Sequence, residues 1–205
     1  MDRRLLAWAR GVKAQHGGAQ PVLWLFTDLA RLPDPLPAVA ALPRGLCGVV
    51  FRHEGVADRA GLARAVARLC RARGIVLTIA GDWRLAAALG VGVHLRGGRG
   101  CKRGGRLNTA SAHGVAELRR GRLAGALVFL SPVFPTASHP GAAGLGPWRW
   151  GVLSRGHRLA ALGGVDGAVV RRLPRGSCVA VGAIGALGGV HPALAGVASA
   201  AREAC

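Results

Sequence analysis

The chain has 205 residues, 51% of them apolar, enough to bury a large core as a single domain. Lys and Arg number 28 against 9 Asp and Glu, a formal net charge of +19, yet the basic residues are scattered from Arg3 to Arg202, aromatics are 4% and tyrosine is absent. Charge without interleaved stacking side chains argues against a specific nucleic-acid surface, and no stretch approaches the ~18 apolar residues that span a membrane. The segment Met1–Arg10 lacks the continuous apolar core of a signal peptide. Cys47, Cys70, Cys101, Cys178 and Cys205 are odd in number and show neither C-x-x-C pairing nor metal-binding spacing. Small buried thiols in a reducing cytoplasm are the expectation, with no membrane partner.

In chain order, Leu5–Ala14 is expected as an additional N-terminal helix, with residues 1–21 as lead-in and 22–205 as the main domain. Apolar runs predict strands at Val22–Thr27, Cys47–Phe51, Ile75–Ile79, Gly92–Leu95, Leu107–Ser111, Ala126–Leu130, Leu159–Leu162 and Cys178–Ile184. Arg59–Arg73 carries Leu62, Val66 and Leu69 at helical spacing, with Gly74 placed to terminate it; Asp82 is placed to cap a helix over Trp83–Leu89. Val115–Arg122, Gly167–Leu173 and Ala193–Ala204 have similar helical character. Strands that are continuously apolar and interleaved with helices indicate a parallel sheet covered on its outer face. Eight such units favour closure into an α/β single-domain (β/α)8 TIM barrel. An open doubly wound sheet is the alternative, but no strand is followed by G-x-G-x-x-G.

The most informative stretch is Ser131-Pro132-Val133-Phe134-Pro135-Thr136-Ala137-Ser138-His139-Pro140-Gly141, which follows the run Ala126–Leu130 and precedes Gly144-Leu145-Gly146-Pro147. A buried strand is expected to empty here into a rigid, hydroxyl-bearing loop with no room for a long helix. The next two strands end in Gly163-Gly164 and at Ile184-Gly185. Hydroxyls and bare backbone N–H groups at successive strand ends suit a bound phosphate, at the face where barrel enzymes often place one.

Leu23-Trp24-Leu25-Phe26-Thr27-Asp28, Gly92-Val93-His94-Leu95, Ser111-Ala112-His113, Ser131-Pro132-Val133-Phe134-Pro135-Thr136 and Ala161-Leu162-Gly163-Gly164-Val165 occur in an order and spacing that resemble the thiamine phosphate synthase/TenI superfamily. The resemblance runs over about Val22 to Leu187 and implies a single-domain (β/α)8 barrel. It also implies one of two activities. The synthase joins a pyrimidine-methyl diphosphate to a thiazole phosphate, with Mg²⁺ stabilising the departing diphosphate. The TenI branch includes a tautomerase that aromatises a thiazole phosphate precursor by moving a proton.

By the same resemblance, Thr136 and Ser138 match the Thr-x-Thr loop that holds the thiazole phosphate, and Gly163, Gly164, Ile184 and Gly185 complete the cradle. Glycine suits it because a Cβ would obstruct backbone donors approaching the anion. His113 matches the tautomerase histidine, and imidazole accepts and returns a proton near neutral pH. Ser111, His53 and His139 are candidate contacts at the mouth. The family role of His94 is expected to be structural.

Departures from the pattern are equally informative. Where family synthases carry Gln-x-Arg-x-Lys, this chain reads Val50-Phe51-Arg52-His53-Glu54, keeping only the arginine. The family's Asn-Asp aligns with Ala80-Gly81, with Asp82 one residue displaced. The second metal-binding acid gives way to Arg96-Gly97-Gly98-Arg99, and the diphosphate lysine to His139. Mg²⁺ is a hard cation held through oxygen, which these arginines do not supply. The losses cluster in the diphosphate and metal half, while the thiazole-phosphate half survives. The expectation is therefore a TenI-like proton-transfer enzyme needing no cofactor, with a small phosphorylated heterocycle as substrate. In it His113 is the catalytic group, Arg52 orients an anionic substituent and Glu54 is a candidate second proton-transfer group. The alternatives are a divergent synthase, which alone would require Mg²⁺, and a non-catalytic phosphate-binding barrel. Assembly into a homo-oligomer is compatible with each.

Overall fold

A computed structural model describes residues 1–99, 106–136, 141 and 143–189. The helix expected at Ala193–Ala204 lies outside them. The elements follow in the order α1 (Arg3–His16), β1 (Leu23–Phe26), α2 (Leu36–Ala41), β2 (Cys47–Phe51), α3 (Arg59–Arg73), β3 (Val76–Ala80), α4 (Trp83–Leu89), β4 (Gly92–Leu95), β5 (Thr109–Ala112), α5 (Val115–Leu123), β6 (Leu127–Leu130), α6 (Gly146–Ser154), β7 (Leu159–Leu162), β8 (Cys178–Ala183) and α7 (Gly185–Gly188). The eight strands pair in parallel, each with the next, and β8 pairs with β1 through Leu23 and Val181. This is a closed α/β barrel.

Closure needs an interior that side chains fill completely. Trp24, Phe26, Val50 and Phe129 fill it, all fully buried. Phe129 meets Trp24 and Phe26 edge to face, with centroids 5.8 and 4.9 Å apart. Two inward positions are glycine for want of room: a Cβ on Gly48 would lie 2.7 Å from the Trp24 ring, and one on Gly182 would lie 2.6 Å from Phe26. A second apolar layer, including Leu25, Val49, Phe51, Val66 and Ile79, packs the outward strand faces under the helices. Each fully buried side chain of this size contributes on the order of 1.5–3 kcal/mol.

The helix signals act as read. Gly74 adopts the left-handed conformation at the end of α3, and Asp82 Oδ1 accepts from the Leu85 N–H at 2.9 Å to cap α4. Three outcomes depart from expectation. Gly167–Leu173 forms only a 3-10 turn at Val170–Arg172, and α1 packs across that turn and β8, burying Leu5, Trp8, Ala9 and Val12. The hydroxyl loop is followed by a nine-residue helix, α6, started by Pro147 and anchored by buried Trp150, whose Nε1 donates to the Leu130 carbonyl at 3.2 Å. The short helix α2 carries too few apolar periods to be seen in the sequence. Among the described residues no helix is long and apolar enough to cross a membrane.

Candidate functional site

Side chains alternate between the barrel interior and the helix layer along each strand. Trp24 and Phe26 point inward on β1, so Asp28 stands at the mouth two residues on. The same parity carries Val50 to Arg52 and Glu54 after β2, and His94 to Arg96 after β4. It carries Thr109 to Ser111 and His113 along β5, and Phe129 to Ser131 beyond β6.

Arg52 is held from three sides. Its N–H donates to Thr27 Oγ1 at 2.8 Å, its Nη2 lies 3.3 Å from Asp28 Oδ2, and its guanidinium sits over the Phe26 ring at 5.8 Å. Burial pushes this guanidinium below its ordinary pKa; Asp28 opposes the shift, while Arg96 and Arg31 add to it. Positive charge thus converges on one side of the mouth. Asp28 had no assigned role in the sequence reading, although its inward register beyond Phe26 was a usable signal.

His53 has the opposite parity. It is fully buried in the outer layer and stacked on Phe51 with centroids 5.3 Å apart. Its Nε2 donates to the Leu32 carbonyl at 2.9 Å, and its Nδ1 shares a 2.9 Å hydrogen bond with Thr27 Oγ1. The structure therefore places His53 as a clamp behind Arg52, away from the mouth.

Glu54 is at the mouth and forms an ion pair with Arg96. The pair lies beside Gly81: an atom at the Cβ position of Gly81 would be 3.4 Å from Glu54 Oε1 and 3.8 Å from Arg96 Cζ. Asp82 is engaged elsewhere, capping α4 and pairing with Arg59 Nη1 at 3.3 Å. Arg59 is itself fixed on the carbonyls of His53 and Ala80, at 3.0 and 2.7 Å. Among the described residues no group of three or more His, Cys, Asp or Glu side chains is arranged to hold a metal ion. Among the described residues the donor set does not match the acids that the resemblance would assign to Mg²⁺. A guanidinium and its counter-ion stand where the resemblance would put metal-binding acids.

Across the mouth, the hydroxyl loop is stitched to the end of β7. The N–H groups of Val133 and Phe134 donate to the carbonyls of Leu162 and Gly163, at 2.9 and 3.1 Å. Gly163 and Gly164 have φ of 93° and 65°. A Cβ on Gly163 would lie 2.8 Å from Pro132 Cβ, and one on Gly164 would collide with the Pro135 carbonyl. Glycine is required there by the packed loop as well as by backbone conformation. The barrel ladder continues past β1, β3 and β6 through the N–H groups of Thr27, Gly81 and Ser131. Among the described residues, those of Gly163, Gly164 and Ile184 donate to no carbonyl. Leu162 pairs with Gly182, so Gly163-Gly164 and Ile184-Gly185 leave the barrel side by side, next to the half-buried Thr136. Ser138 and His139 lie outside the described residues.

His113 is exposed beyond β5. Its N–H donates to Glu117 Oε2 at 2.8 Å, which ties the residue before the Gly114 N-cap to the first turn of α5. Its Nδ1 lies 3.1 Å from the Ser131 carbonyl. A carbonyl only accepts, so Nδ1 carries the proton and Nε2 is the basic nitrogen of the ring. Ser111 Oγ accepts from the Gly97 N–H at 3.4 Å, tying the ends of β4 and β5 together. Among the described residues the mouth therefore has neutral backbone donors on the β6–β8 side, guanidinium groups on the β2–β4 side, and the His113 imidazole between them. That arrangement can grip a dianion at one end and move a proton near the other.

The description "Thiamine monophosphate synthase" belongs to the family model, TMP-TENI, that matches residues 37–187. No curated protein sequence matches the chain. Among solved structures, a thiamine phosphate pyrophosphorylase from Pyrococcus furiosus superposes with a TM-score of 0.66 at 14% identity, covering 89% of this chain and 94% of that one. A variant of the citrate synthase SbnG gives 0.56 at 15% identity, covering 94% and 98%, and a native KDPGal structure gives 0.53 at 13%, covering 90% and 95%. At these identities the structural likenesses establish the barrel alone. The family match spans most of the chain: this protein belongs to the thiamine monophosphate synthase (TMP-TENI) family, and its function is of the thiamine-biosynthesis type.

Proposed function

We propose that the protein is a TenI-like isomerase that moves a proton on a thiazole-type ring bearing a phosphate. The observation that carries this reading is the Arg96–Glu54 ion pair beside Gly81, in the half of the mouth where a synthase would need oxygen ligands for Mg²⁺. The opposite half keeps a cradle for phosphate in Thr136 and the backbone of Gly163, Gly164, Ile184 and Gly185; Ser138, outside the described residues, is assigned to it by the resemblance alone. In this reading His113 Nε2 takes a proton from one ring atom and returns it to another. Atoms and charge balance without oxidant, reductant or metal. Arg52, steadied by Asp28 and Thr27, orients an anionic substituent. Glu54 is held by Arg96, so it becomes a second proton-transfer group only on release from that pair.

The family description favours a second reading, a divergent synthase coupling a pyrimidine-methyl diphosphate to thiazole phosphate. One paired assay separates the two. The purified protein is tested for isomerisation of the thiazole phosphate precursor and for coupling, each with Mg²⁺ and with EDTA, beside His113→Ala. Metal-independent isomerisation lost in His113→Ala is the expected result. Mg²⁺-dependent coupling would replace the isomerase reading with the synthase. Binding of thiazole phosphate without either activity would leave a non-catalytic phosphate-binding barrel.

A further inference from the structure

The floor of the mouth holds a polar chain that the proposed reaction does not use. His94 is 3% exposed and points inward from β4, edge-on to Phe26 at 5.4 Å and beside Phe129 at 6.4 Å. Its Nδ1 lies 2.9 Å from Thr109 Oγ1, which lies 3.1 Å from Thr78 Oγ1, and Thr78 Oγ1 lies 3.5 Å from the Val49 carbonyl. Both threonines are fully buried.

A chain of this kind has a direction. The Val49 carbonyl has no proton to give, so the Thr78 hydroxyl donates to it. Thr78 Oγ1 then accepts from the Thr109 hydroxyl, and Thr109 Oγ1 accepts from His94 Nδ1–H. Each hydroxyl is used once as donor and once as acceptor, and the proton of the imidazole is placed on Nδ1. The lone pair on Nε2 is left over. Among the described residues that atom has no hydrogen-bond partner, and the side-chain nitrogens sealed from solvent without a partner there are Trp8 Nε1 and Arg73 Nε; His94 Nε2 is not one of them. It is therefore not fully sealed by the residues around it. Burial, and then the positive charge of Arg52, lower the His94 pKa to about 3, so the ring stays neutral and its lone pair unprotonated at neutral pH.

We propose that His94 is a positioning residue whose Nε2 accepts a hydrogen bond from an N–H or O–H on the ring of the bound ligand, with its tautomer set by the Thr109–Thr78–Val49 chain. The ligand class is a flat heterocycle, narrow enough to stand over Phe26 and Phe129, that presents a donor to the barrel floor. A ring offering only a lone pair there would face Nε2 lone pair to lone pair and bind less well. The ligand half of this proposal rests on the phosphate grip proposed above; the tautomer does not.

The test has two arms on the full chain. The first is ¹⁵N NMR of histidine-labelled protein at neutral pH, in which His94 is expected as the Nδ1–H tautomer. Thr78→Val, which removes the hydroxyl linking Thr109 to Val49, is expected to convert it to Nε2–H or to a mixture. A wild-type Nε2–H tautomer would overturn the proposal. The second arm compares binding of 2-(pyrazol-4-yl)ethyl phosphate with that of its N-methyl derivative. The N–H form is expected to bind about tenfold more tightly, the worth of one net hydrogen bond. The preference is expected to disappear in Thr78→Val and in His94→Phe, where a purely steric objection to the methyl group would persist. An equal preference in all three proteins would overturn the proposal. Failure of both probes to bind would instead sink the phosphate grip, and the tautomer would then decide the assignment of His94.

Discussion

Arg96 reaches from the end of β4 to the carboxylate of Glu54 beyond β2, so that the two side chains close over the bare Cα of Gly81. A Cβ at position 81 would be in ordinary contact with both partners, and the φ of 71° there favours glycine. Arg96 brings a positive charge, offset by Glu54, to a place where a hard cation would otherwise need carboxylate oxygens. Its consequence for binding is direct. Arg96→Gln is expected to weaken binding of a dianionic ligand such as inorganic pyrophosphate several-fold, measured by calorimetry in EDTA, whereas Glu54→Gln, which frees the guanidinium, is expected to strengthen it. Because both groups are substantially exposed, either change should alter unfolding free energy by less than about 1 kcal/mol.

Thr27 joins two elements through one hydroxyl, accepting from the Arg52 N–H while bonded to buried His53. Thr27→Val keeps the shape and removes both bonds. Leaving buried polar groups unpaired costs roughly 1–3 kcal/mol each, so urea unfolding should show a loss in that range. Anion affinity should fall with it, because Arg52 loses its anchor.

Gly164→Ala is expected to be more damaging than an ordinary surface substitution. The new Cβ would meet the Pro135 carbonyl, and φ is 65°. A loss of about 1–3 kcal/mol is expected from strain at such a position. If the adjacent loop is the phosphate grip, binding of thiazole phosphate should weaken together with stability.

Acid should reveal His94. Its folded pKa, about 3, lies below the ordinary histidine value, so the unfolded chain binds the extra proton first. The stabilisation is complete above about pH 6.5 and is lost as pH falls toward 3, with a slope of at most about 1.4 kcal/mol per pH unit. Urea melts between pH 7.5 and 4.5 should lose this slope in His94→Phe. A parallel decline in both proteins would show that other groups carry the acid sensitivity.

The thiols offer a check on packing. Burial pushes Cys47, Cys70 and Cys178 up to about 12, and each lies in the apolar core. Peptide mapping after iodoacetamide treatment at pH 8 should find all three unmodified in the native protein and alkylated in urea. Alkylation of any of the three without denaturant would place it on a locally opening segment.

Much of the barrel was legible in the chain because a continuously apolar run bounded by glycines has few other uses than a strand buried on both faces. Cys47–Phe51, Gly92–Leu95 and Leu159–Leu162 emerge with the expected limits, and Asp82 and Gly74 bound their helices as their chemistry requires. Periodicity failed where it was too short, as in α2, or where another element took over the outer layer, as α1 does across Val170–Arg172. Gly163 and Gly164 stand out in the sequence, but Pro132 and Pro135 packed against them are a reason for glycine that only the fold displays.

Local residue chemistry by itself determined that the chain forms alternating strands and helices, and family motifs within it located a hydroxyl loop and a histidine at strand ends. Those are properties of neighbours in sequence. What only the tertiary structure decided is which way each group at the mouth faces and what it meets. Arg52 and His53 are adjacent in the chain, but strand alternation sends one to the mouth and the other into the helix layer. Glu54 and Arg96 are 42 residues apart, and only closure of the barrel brings their charges together. Charge pairing and hydrogen-bond direction depend on distances across the barrel, and a linear pattern carries no term for those.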